Sequence, residues 1–191
     1  MKTNNCIHQI RTSIQQGIHP EPPNFEQFQQ TSVIALFLFN SDPELLFIQK
    51  ADIPGYPWAN QMAFPGGHMD EIDRSTLDTA LRELAEEMCI QSENVDVIGS
   101  LGHFQTINNK NIEAWVGIWN QKDIIKPDAA EISRVIHIPF KHLVQLHNEL
   151  GYAGKEANIM TVKYPYDDIL IWGVTGKIVH HLIELMGQNT Q

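Results

Sequence analysis

Three glutamates close together in the sequence are the residues whose types and spacing most directly indicate chemistry. At about 100° of rotation per residue, Glu83, Glu86 and Glu87 fall within an arc of roughly 100° on one helix surface. Their charges repel one another, and Arg82 is the basic residue close enough along the helix to compensate them. Carboxylate oxygens in such a cluster are hard ligands, which suit Mg²⁺ or Mn²⁺ rather than zinc. The cluster therefore predicts a divalent-metal site.

The segment around these glutamates favours a site over a solvated acidic surface. Gly66 and Gly67 precede the helix, and glycine lets the backbone approach an ion, so the Gly66 carbonyl is a further candidate ligand. Solvated helix faces usually carry lysines among the acids, whereas residues 74–93 contain none. The alternative is a purely structural acidic helix at a protein interface. The same helix carries an apolar stripe for the core, formed by Leu77, Leu81, Leu84 and Met88.

Hydrophobic patterning and turn signals place this helix in a mixed α+β chain. Helices are predicted over residues 4–17, 76–88, 139–150 and 169–186, and strands over residues 32–39, 44–49, 95–101, 112–119 and 134–138. Residues 1–30 comprise the first helix and a proline-rich connector at 19–28, and residues 152–166 form an excursion. We expect one domain over residues 1–191, with helices on both sides of a central sheet.

Composition narrows the class of protein. A length of 191 residues suits one domain at roughly 150 residues per domain. The 13 basic and 23 acidic residues give a formal charge of −10 without a basic cluster, so we expect no nucleic-acid partner. No apolar run approaches the ~18 residues of a membrane span, and the polar N-terminus predicts a cytoplasmic protein with no membrane partner. Cys6 and Cys89 cannot build a disulfide framework, and Cys89 is expected to be buried.

Residues 66–90 resemble the Nudix box, a glycine-led loop and helix that ends in R-E-x-x-E-E. The matching residues are Gly67, Asp73, Arg82, Glu83, Glu86 and Glu87. Two features differ from the general box. Asp73 stands where glutamate is usual, with one extra residue before Arg82, and Cys89 replaces the glycine after the last glutamate. The resemblance implies a Nudix-like α+β fold, an α/β/α sandwich with a mixed central sheet.

Within that family, the chain is similar to the coenzyme A pyrophosphatases. The similarity lies in FPGGHMDEID at 64–73, in TALRE at 79–83 and in Ile171–Thr175. That branch favours an Arg-Ser pair after the second strand, where this chain has Lys50-Ala51. The resemblance implies metal-dependent hydrolysis of a pyrophosphate bond in a nucleoside diphosphate linked to another group, with coenzyme A or a derivative as substrate. ADP-ribose, another nucleotide sugar, and a nucleotide-binding regulator that does not cleave remain alternatives.

The resemblance also implies roles for the box residues. The three glutamates and the Gly66 carbonyl would hold Mg²⁺ or Mn²⁺ next to the diphosphate. Arg82 would orient the glutamates, with Asp73 as its own partner. The resemblance leaves open whether the base that activates the attacking water comes from the box or from a later loop.

Five further residues are candidates, and all of them except Gly67 have an ordinary alternative. Glu131, before a short strand, is an extra ligand or base, or else a solvated loop residue. Gly67 and His68 would lie near substrate phosphates, although His68 also suits a solvated loop. Trp115 would stack on a base, a contact worth about 1–3 kcal/mol, or pack in the core. Glu113 shares the Trp115 face and is a site residue or a surface partner. Relatives commonly form homodimers, but the sequence identifies no interface.

Overall fold

The computed structural model describes residues 2–23, 28–55 and 58–188 of the chain. Residues 24–27 of the proline-rich connector therefore lie outside the described residues. Within the described part, no helix combines the length and apolar character needed to cross a membrane. The elements follow the order α1 (Lys2–Gln16), β1 (Gln29–Phe39), β2 (Pro43–Lys50), β3 (Met62–Ala63), β4 (Gly66–His68), α2 (Thr76–Met88), β5 (Val95–Gln105), β6 (Lys110–Trp119), β7 (Ile132–Pro139), α3 (Phe140–Glu149), β8 (Lys163–Tyr166), β9 (Ile169–Trp172) and α4 (Gly173–Gln188).

The central sheet is mixed, as the sequence predicts. Strands β3, β2, β1, β6 and β5 lie side by side in that order, while β4 pairs with β1 and β7 pairs with β2. β1 runs parallel to β6 and antiparallel to β2 and β4. The pairing sets Gly66 opposite Val33 and Gly67 opposite Ser32. The glycine pair is therefore held against the central strand of the sheet.

β1 is buried on both faces, which is why its sequence is almost continuously apolar. Val33, Ala35 and Phe37 belong to one core cluster, to which α1, α3 and α4 contribute. The alternate residues, beginning with Ile34, belong to a second cluster that includes Leu84 of α2. Helices thus cover both faces of a mixed sheet. The predicted fold class, an α/β/α sandwich, is confirmed.

α2 begins and ends where its sequence predicts. The Ser75 hydroxyl caps the N-terminus and accepts a hydrogen bond from the Asp78 amide at 3.1 Å. Met88, at the end of the apolar stripe, is fully buried. The helix ends at Cys89, whose backbone is left-handed with a φ of 59° and whose amide donates to the Ala85 carbonyl. The predicted apolar stripe is buried only in part, since Leu77 and Leu81 are half-buried, and the adjacent acidic residues lie against β4.

The chain from residue 169 onward differs from the sequence prediction. The closing helix predicted from residue 169 begins at Gly173, because residues 169–172 form β9 and pair with β8. Their side chains alternate between buried and exposed, and periodicity alone cannot distinguish so short an apolar run from a helix. His180 of α4 is 4% exposed. It is buried because its ring lies against His147, with 4.7 Å between the ring centroids.

Cys89 is exposed, which corrects the expectation that it is buried. It follows the last turn of α2, and the buried stripe of that helix ends one residue earlier at Met88. Its left-handed backbone is the conformation that favours glycine at a helix C-terminus. The glycine usual at this position of the Nudix box therefore has a conformational reason, and the cysteine is strained there.

We predict that Cys89→Gly stabilises the protein. A side chain in the left-handed region costs about 1–2 kcal/mol, and the greater freedom of an unfolded glycine offsets roughly 0.5–1 kcal/mol of the gain. The free energy of unfolding, measured by urea denaturation, should rise by about 0.5–1 kcal/mol. Cys89→Ala is the matched control, because it removes the thiol and keeps the strained backbone. Equal stability of the two variants would contradict this interpretation.

Candidate active site

The Arg82 guanidinium lies at the centre of the candidate site. Its Nε and Nη2 donate to the two oxygens of Asp73, at 3.1 and 3.0 Å. Its Nη1 donates to Glu83 Oε1 and to Glu86 Oε2, each at 2.9 Å. Nη2 also donates to the His68 carbonyl at 3.0 Å. One planar cation thus connects α2, β4 and the loop between them.

Asp73 anchors Arg82 from the loop before α2. Besides the bidentate contact, it accepts hydrogen bonds from the Thr79 hydroxyl and the Asp70 amide, both at 2.9 Å. Its side chain is 3% exposed. The Arg82 hydrogen bond, aided by those from Asp70 and Thr79, lowers the pKa of Asp73 to about 2. The same contact raises the pKa of Arg82, so both groups are charged at neutral pH.

Glu83 lies against the glycine pair. A Cβ atom at Gly67 would come within 2.4 Å of the Glu83 carboxyl group, so glycine is needed there for the carboxylate to keep this position. Burial raises the pKa of Glu83, and the contact with Arg82 opposes that shift. Repulsion from Glu86 adds to the rise. The carboxylate therefore lies in surroundings where a further cation would be favourable.

Glu87 is the deepest of the three glutamates, with 3% of its side chain exposed. Its Oε1 accepts from Lys50 Nζ at 2.6 Å, and its Oε2 accepts from the Gly66 amide at 3.0 Å. Burial raises the pKa of Glu87, while the Lys50 and Gly66 contacts oppose that shift. A Cβ atom at Gly66 would lie 2.1 Å from the Ser32 carbonyl oxygen, so the amide reaches Glu87 only because residue 66 is glycine.

Lys50 is a residue of the site that the sequence pattern does not indicate. It is the last residue of β2, at a point where the register with β7 becomes irregular. Its amide donates to the Gln61 carbonyl at 2.9 Å, and its carbonyl accepts from the Asn60 amide at 3.2 Å. Such irregularities re-aim side chains, and this one directs Lys50 toward α2. Its sequence signal is only a lysine at the end of an apolar strand.

The side chains of Glu86 and Glu131 are more exposed than that of Glu87. The Glu86 side chain is 61% exposed and contacts Arg82. Glu131 lines a cavity that opens beside the glycine pair. The loop that carries it is tied to the end of α2, because the Asp128 amide donates to the Glu87 carbonyl at 2.9 Å. The Glu131 carbonyl accepts from the Ala51 amide at 2.7 Å, so its backbone is held beside the end of β2.

A cavity of about 610 Å³ opens beside the glycine pair. The predicted substrate-facing residues Gly67 and His68 both line it, and Glu83 contributes its carboxylate. Its other polar lining residues include Thr31, Lys50, Gln61, Gly66, Asn108, Lys110 and Glu131. Its apolar wall includes Trp58, Phe64, Ile107, Ile159, Met160, Trp172 and Val174. The cavity thus joins a charged end to a largely apolar one.

A second lysine, Lys110, belongs to the charged end. Its Nζ lies 3.1 Å from His68 Nε2 and 4.5 Å from the centroid of the Trp58 ring. His68 Nδ1 lies 3.1 Å from the Thr31 hydroxyl. Because an ammonium can only donate, His68 Nε2 accepts and its Nδ1 carries the proton. Desolvation lowers the pKa of Lys110, and desolvation followed by the Lys110 charge lowers the pKa of His68.

Trp115 does not line the cavity, which favours packing in the core over stacking on a base. It packs against the second core cluster, between the sheet and α2. Ile112 of the same strand lines the cavity, and side chains three residues apart on a strand point to opposite faces. Glu113 shares the Trp115 face, where it accepts hydrogen bonds from the hydroxyls of Thr76 and Ser100. It therefore joins α2 to the sheet.

The donor chemistry of the site suits a hard divalent cation, although side chains of the protein already occupy the carboxylates. Four carboxylates meet two cationic side chains in two neighbouring groups of ion pairs, Asp73, Glu83 and Glu86 with Arg82, and Glu87 with Lys50. Two formal negative charges are left in excess. Among the described residues, no three His, Cys, Asp or Glu side chains converge as a ligand set. Ion binding therefore requires carboxylates to turn from their present partners.

The α/β/α sandwich carries a glycine loop and an acidic helix that border one cavity. This combination of fold and site defines a class of enzyme. Residues 29–159 match the family model described as the NUDIX domain. The chain therefore belongs to the Nudix family, and it is a pyrophosphohydrolase of the Nudix type.

Relatives within this family extend over nearly the whole chain. The uncharacterized Nudix hydrolase NudL of Pectobacterium atrosepticum is 29% identical over 180 residues, which cover 93% of each chain. A NudL of Photorhabdus laumondii is 28% identical over 86% of this chain and 90% of its own. Among solved structures, the MutT protein of Methanosarcina mazei matches with a TM-score of 0.57 and 12% identity, over 88% of this chain and 100% of that one. This last likeness supports the fold alone.

We predict that Asp73→Asn destabilises the protein in a pH-dependent way. The pKa of Asp73 is about 2 in the fold against an ordinary value of 3.8. Its charge therefore stabilises the fold above pH ~4, and this contribution is lost as the pH falls toward 2. At pH 7 the variant should lose about 1–2 kcal/mol of unfolding free energy, allowing for solvent screening. Urea denaturation between pH 7 and pH 3 measures the difference.

Glu71→Gln is the control for this experiment, because Glu71 is an exposed carboxylate of the same loop. We expect a change within about 0.5 kcal/mol for this surface substitution. A loss in Asp73→Asn that does not shrink on acidification, or an equal loss in the control, would contradict the anchoring role of Asp73.

Proposed function

We propose that the chain hydrolyses a pyrophosphate bond in a nucleoside diphosphate linked to another group, with Mg²⁺ or Mn²⁺ as cofactor. One arrangement carries the proposal: Glu83 and Glu87 lie one turn apart, each against one glycine of the 66–67 pair. Lys50 and Lys110 line the cavity beside them. Carboxylates that bind cations, next to lysines that can bind phosphate groups of the substrate, suit a nucleoside diphosphate derivative.

The three glutamates of α2 and the Gly66 carbonyl are the proposed ligands of the ion. They offer hard oxygen donors, and the excess negative charge of the network favours a divalent cation. A bound ion would neutralise the phosphate oxygens and lower the pKa of a coordinated water. Arg82, fixed by Asp73, orients the outer two glutamates from one side. Substitution at either position of this pair would disturb the ligands indirectly.

Glu131 is the proposed base for the attacking water. It lies on the cavity wall, and its loop is tied to α2 next to Glu87. A base must lie within one hydrogen bond of the attacking water, and a carboxylate on the cavity wall can approach a substrate that binds there. Glu83, the other carboxylate among the described residues that line the cavity, is a proposed ligand of the ion, which leaves Glu131 for the role of the base.

Coenzyme A or a derivative is the substrate that we propose first, in keeping with the resemblance to that branch. The cavity volume is in the range typical of small-molecule sites, and its apolar end suits a long arm attached to the diphosphate. Ile159, Met160 and Val174 form part of that end. ADP-ribose or another nucleotide sugar is the alternative, and it would place a polar sugar against this apolar wall.

The remaining proposals concern the organisation of the protein. We propose that residues 1–191 form one domain, because Ile10 and Ile14 of α1 share a core cluster with the sheet and with α4. The partner is a small molecule rather than a nucleic acid. That the protein is cytoplasmic and that it forms a homodimer remain predictions.

A substrate panel with Mg²⁺ and Mn²⁺ tests the proposed function. Coenzyme A should yield adenosine 3′,5′-bisphosphate and 4′-phosphopantetheine, and ADP-ribose would yield AMP and ribose 5-phosphate. Glu87→Gln should lower kcat about 100-fold or more, because it removes a proposed metal ligand. Glu71→Gln, an exposed carboxylate outside the site, should retain activity.

Two results would contradict the proposal. Undiminished activity of Glu87→Gln would remove the glutamate cluster from the mechanism. Calorimetric binding of a nucleotide without cleavage, with Mn²⁺ supplied, would favour a non-catalytic regulator.

We predict that Lys110 binds a phosphate of the nucleotide half. Coenzyme A carries a 3′-phosphate that dephospho-coenzyme A lacks, so the two substrates separate this contact from the diphosphate. Lys110→Met should raise KM about tenfold for coenzyme A and less than about twofold for dephospho-coenzyme A, as for loss of one charged hydrogen bond. Lys110→Arg keeps the charge and should stay near the native values. An equal increase in KM for both substrates would show that Lys110 does not bind the 3′-phosphate.

A further inference from the structure

The ion pair of Lys50 with Glu87 separates the deepest carboxylate of the site from the cavity. Lys50 Nζ lies 2.6 Å from Glu87 Oε1, and the exposed fractions of the two side chains are 15% and 3%. Lys50 and Gly66 line the cavity, whereas Glu87 does not. An ion arriving from the cavity therefore meets two donors, the Lys50 ammonium and the Gly66 amide, before it meets the oxygens of Glu87.

These two donors differ in how readily they can move. The Gly66 amide belongs to β4, which pairs with Val33 of β1. The preceding residue is also fixed, because the Pro65 carbonyl accepts from the Ile34 amide at 3.0 Å. The Lys50 ammonium, by contrast, ends a flexible four-carbon stem. A divalent ion and an ammonium repel strongly at one buried carboxylate. Ion binding at Glu87 thus requires Lys50, rather than Gly66, to give way.

We propose that Lys50 is a resident counter-ion of Glu87 that a divalent cation displaces, and that the displaced ammonium then binds a substrate phosphate. This inference rests on the proposed metal-dependent hydrolysis. Before the ion arrives, Lys50 keeps a buried carboxylate paired, which it must be for the fold to tolerate it. After displacement, the backbone contacts of Lys50 with Asn60 and Gln61 keep the stem at the cavity wall.

The two parts of the proposal predict opposite effects of removing the ammonium. Without substrate, ion binding becomes tighter, because the ion no longer competes with Lys50 for Glu87. With the ion saturating, substrate binding becomes weaker, because one phosphate contact is lost. A lysine with a structural role alone would not produce this pair of opposite changes.

Mn²⁺ binding to the substrate-free protein, measured by electron paramagnetic resonance of free Mn²⁺, tests the displacement. Lys50→Met and Lys50→Gln should each lower the Kd for Mn²⁺ at least about fivefold, and Lys50→Arg, which keeps the cation, should stay within about twofold. Two uncharged variants are used so that the test survives if one fails to fold. With saturating Mn²⁺, both should raise KM for the preferred substrate about tenfold.

Lys110→Met is the matched control for Mn²⁺ binding. It removes the same charge from the same cavity, but the contacts of Lys110 are with His68 and Trp58 rather than with a glutamate of α2. Equal tightening in Lys110→Met and Lys50→Met would mean a general charge effect and overturn the proposal. Unchanged or weaker Mn²⁺ binding in both uncharged Lys50 variants would also overturn it.

Glu87→Gln distinguishes failure of this inference from failure of the proposed function. If Mn²⁺ binding does not depend on Glu87, the proposed ligand set is wrong and the displacement falls with it. If Glu87→Gln weakens Mn²⁺ binding but neither uncharged Lys50 variant tightens it, the ligand set stands and the displacement alone is wrong.

Discussion

Repulsion among carboxylates is the constraint on which this site depends. α2 and the loop before it bring Asp73 and three glutamates together in partly buried surroundings, where an unpaired charge is costly. Arg82 contacts three of these carboxylates and Lys50 contacts the fourth, with the Gly66 amide as a further donor. The compensation suffices for folding but leaves negative charge in excess. The same network can therefore exist without an ion and attract one.

The sandwich supplies the rigid support for this balance. β1 is covered on both faces, and β4 is hydrogen-bonded to it. The glycine pair therefore cannot move away from α2. β2 ends beside them and contributes Lys50. β2, β4 and α2 thus meet at one site. The charged end of the cavity depends on how these elements pack, more than on any one side chain.

The sequence predicts those parts of the site that lie close together along the chain. Helical periodicity locates α2, and the pattern of the box brings Arg82 and Asp73 into one loop and helix. The contact of Lys50 with Glu87 could not be predicted in this way, because it depends on the register of β2 with β7. The alternation of side chains along β6 places Ile112 and Trp115 on opposite faces of the sheet. It does not show which of these faces borders the cavity. β9 is missed because a short apolar run suits a helix or a strand equally.

A crystal structure with Mn²⁺ and the methylene analogue of ADP tests the central claim most directly, because anomalous scattering locates the ion independently of the protein atoms. We predict anomalous density in contact with the carboxylates of Glu83 and Glu87 and with the diphosphate oxygens of the analogue. Analogue bound in the cavity with no anomalous density beside these two carboxylates would contradict the claim that the acidic surface of α2 holds the ion.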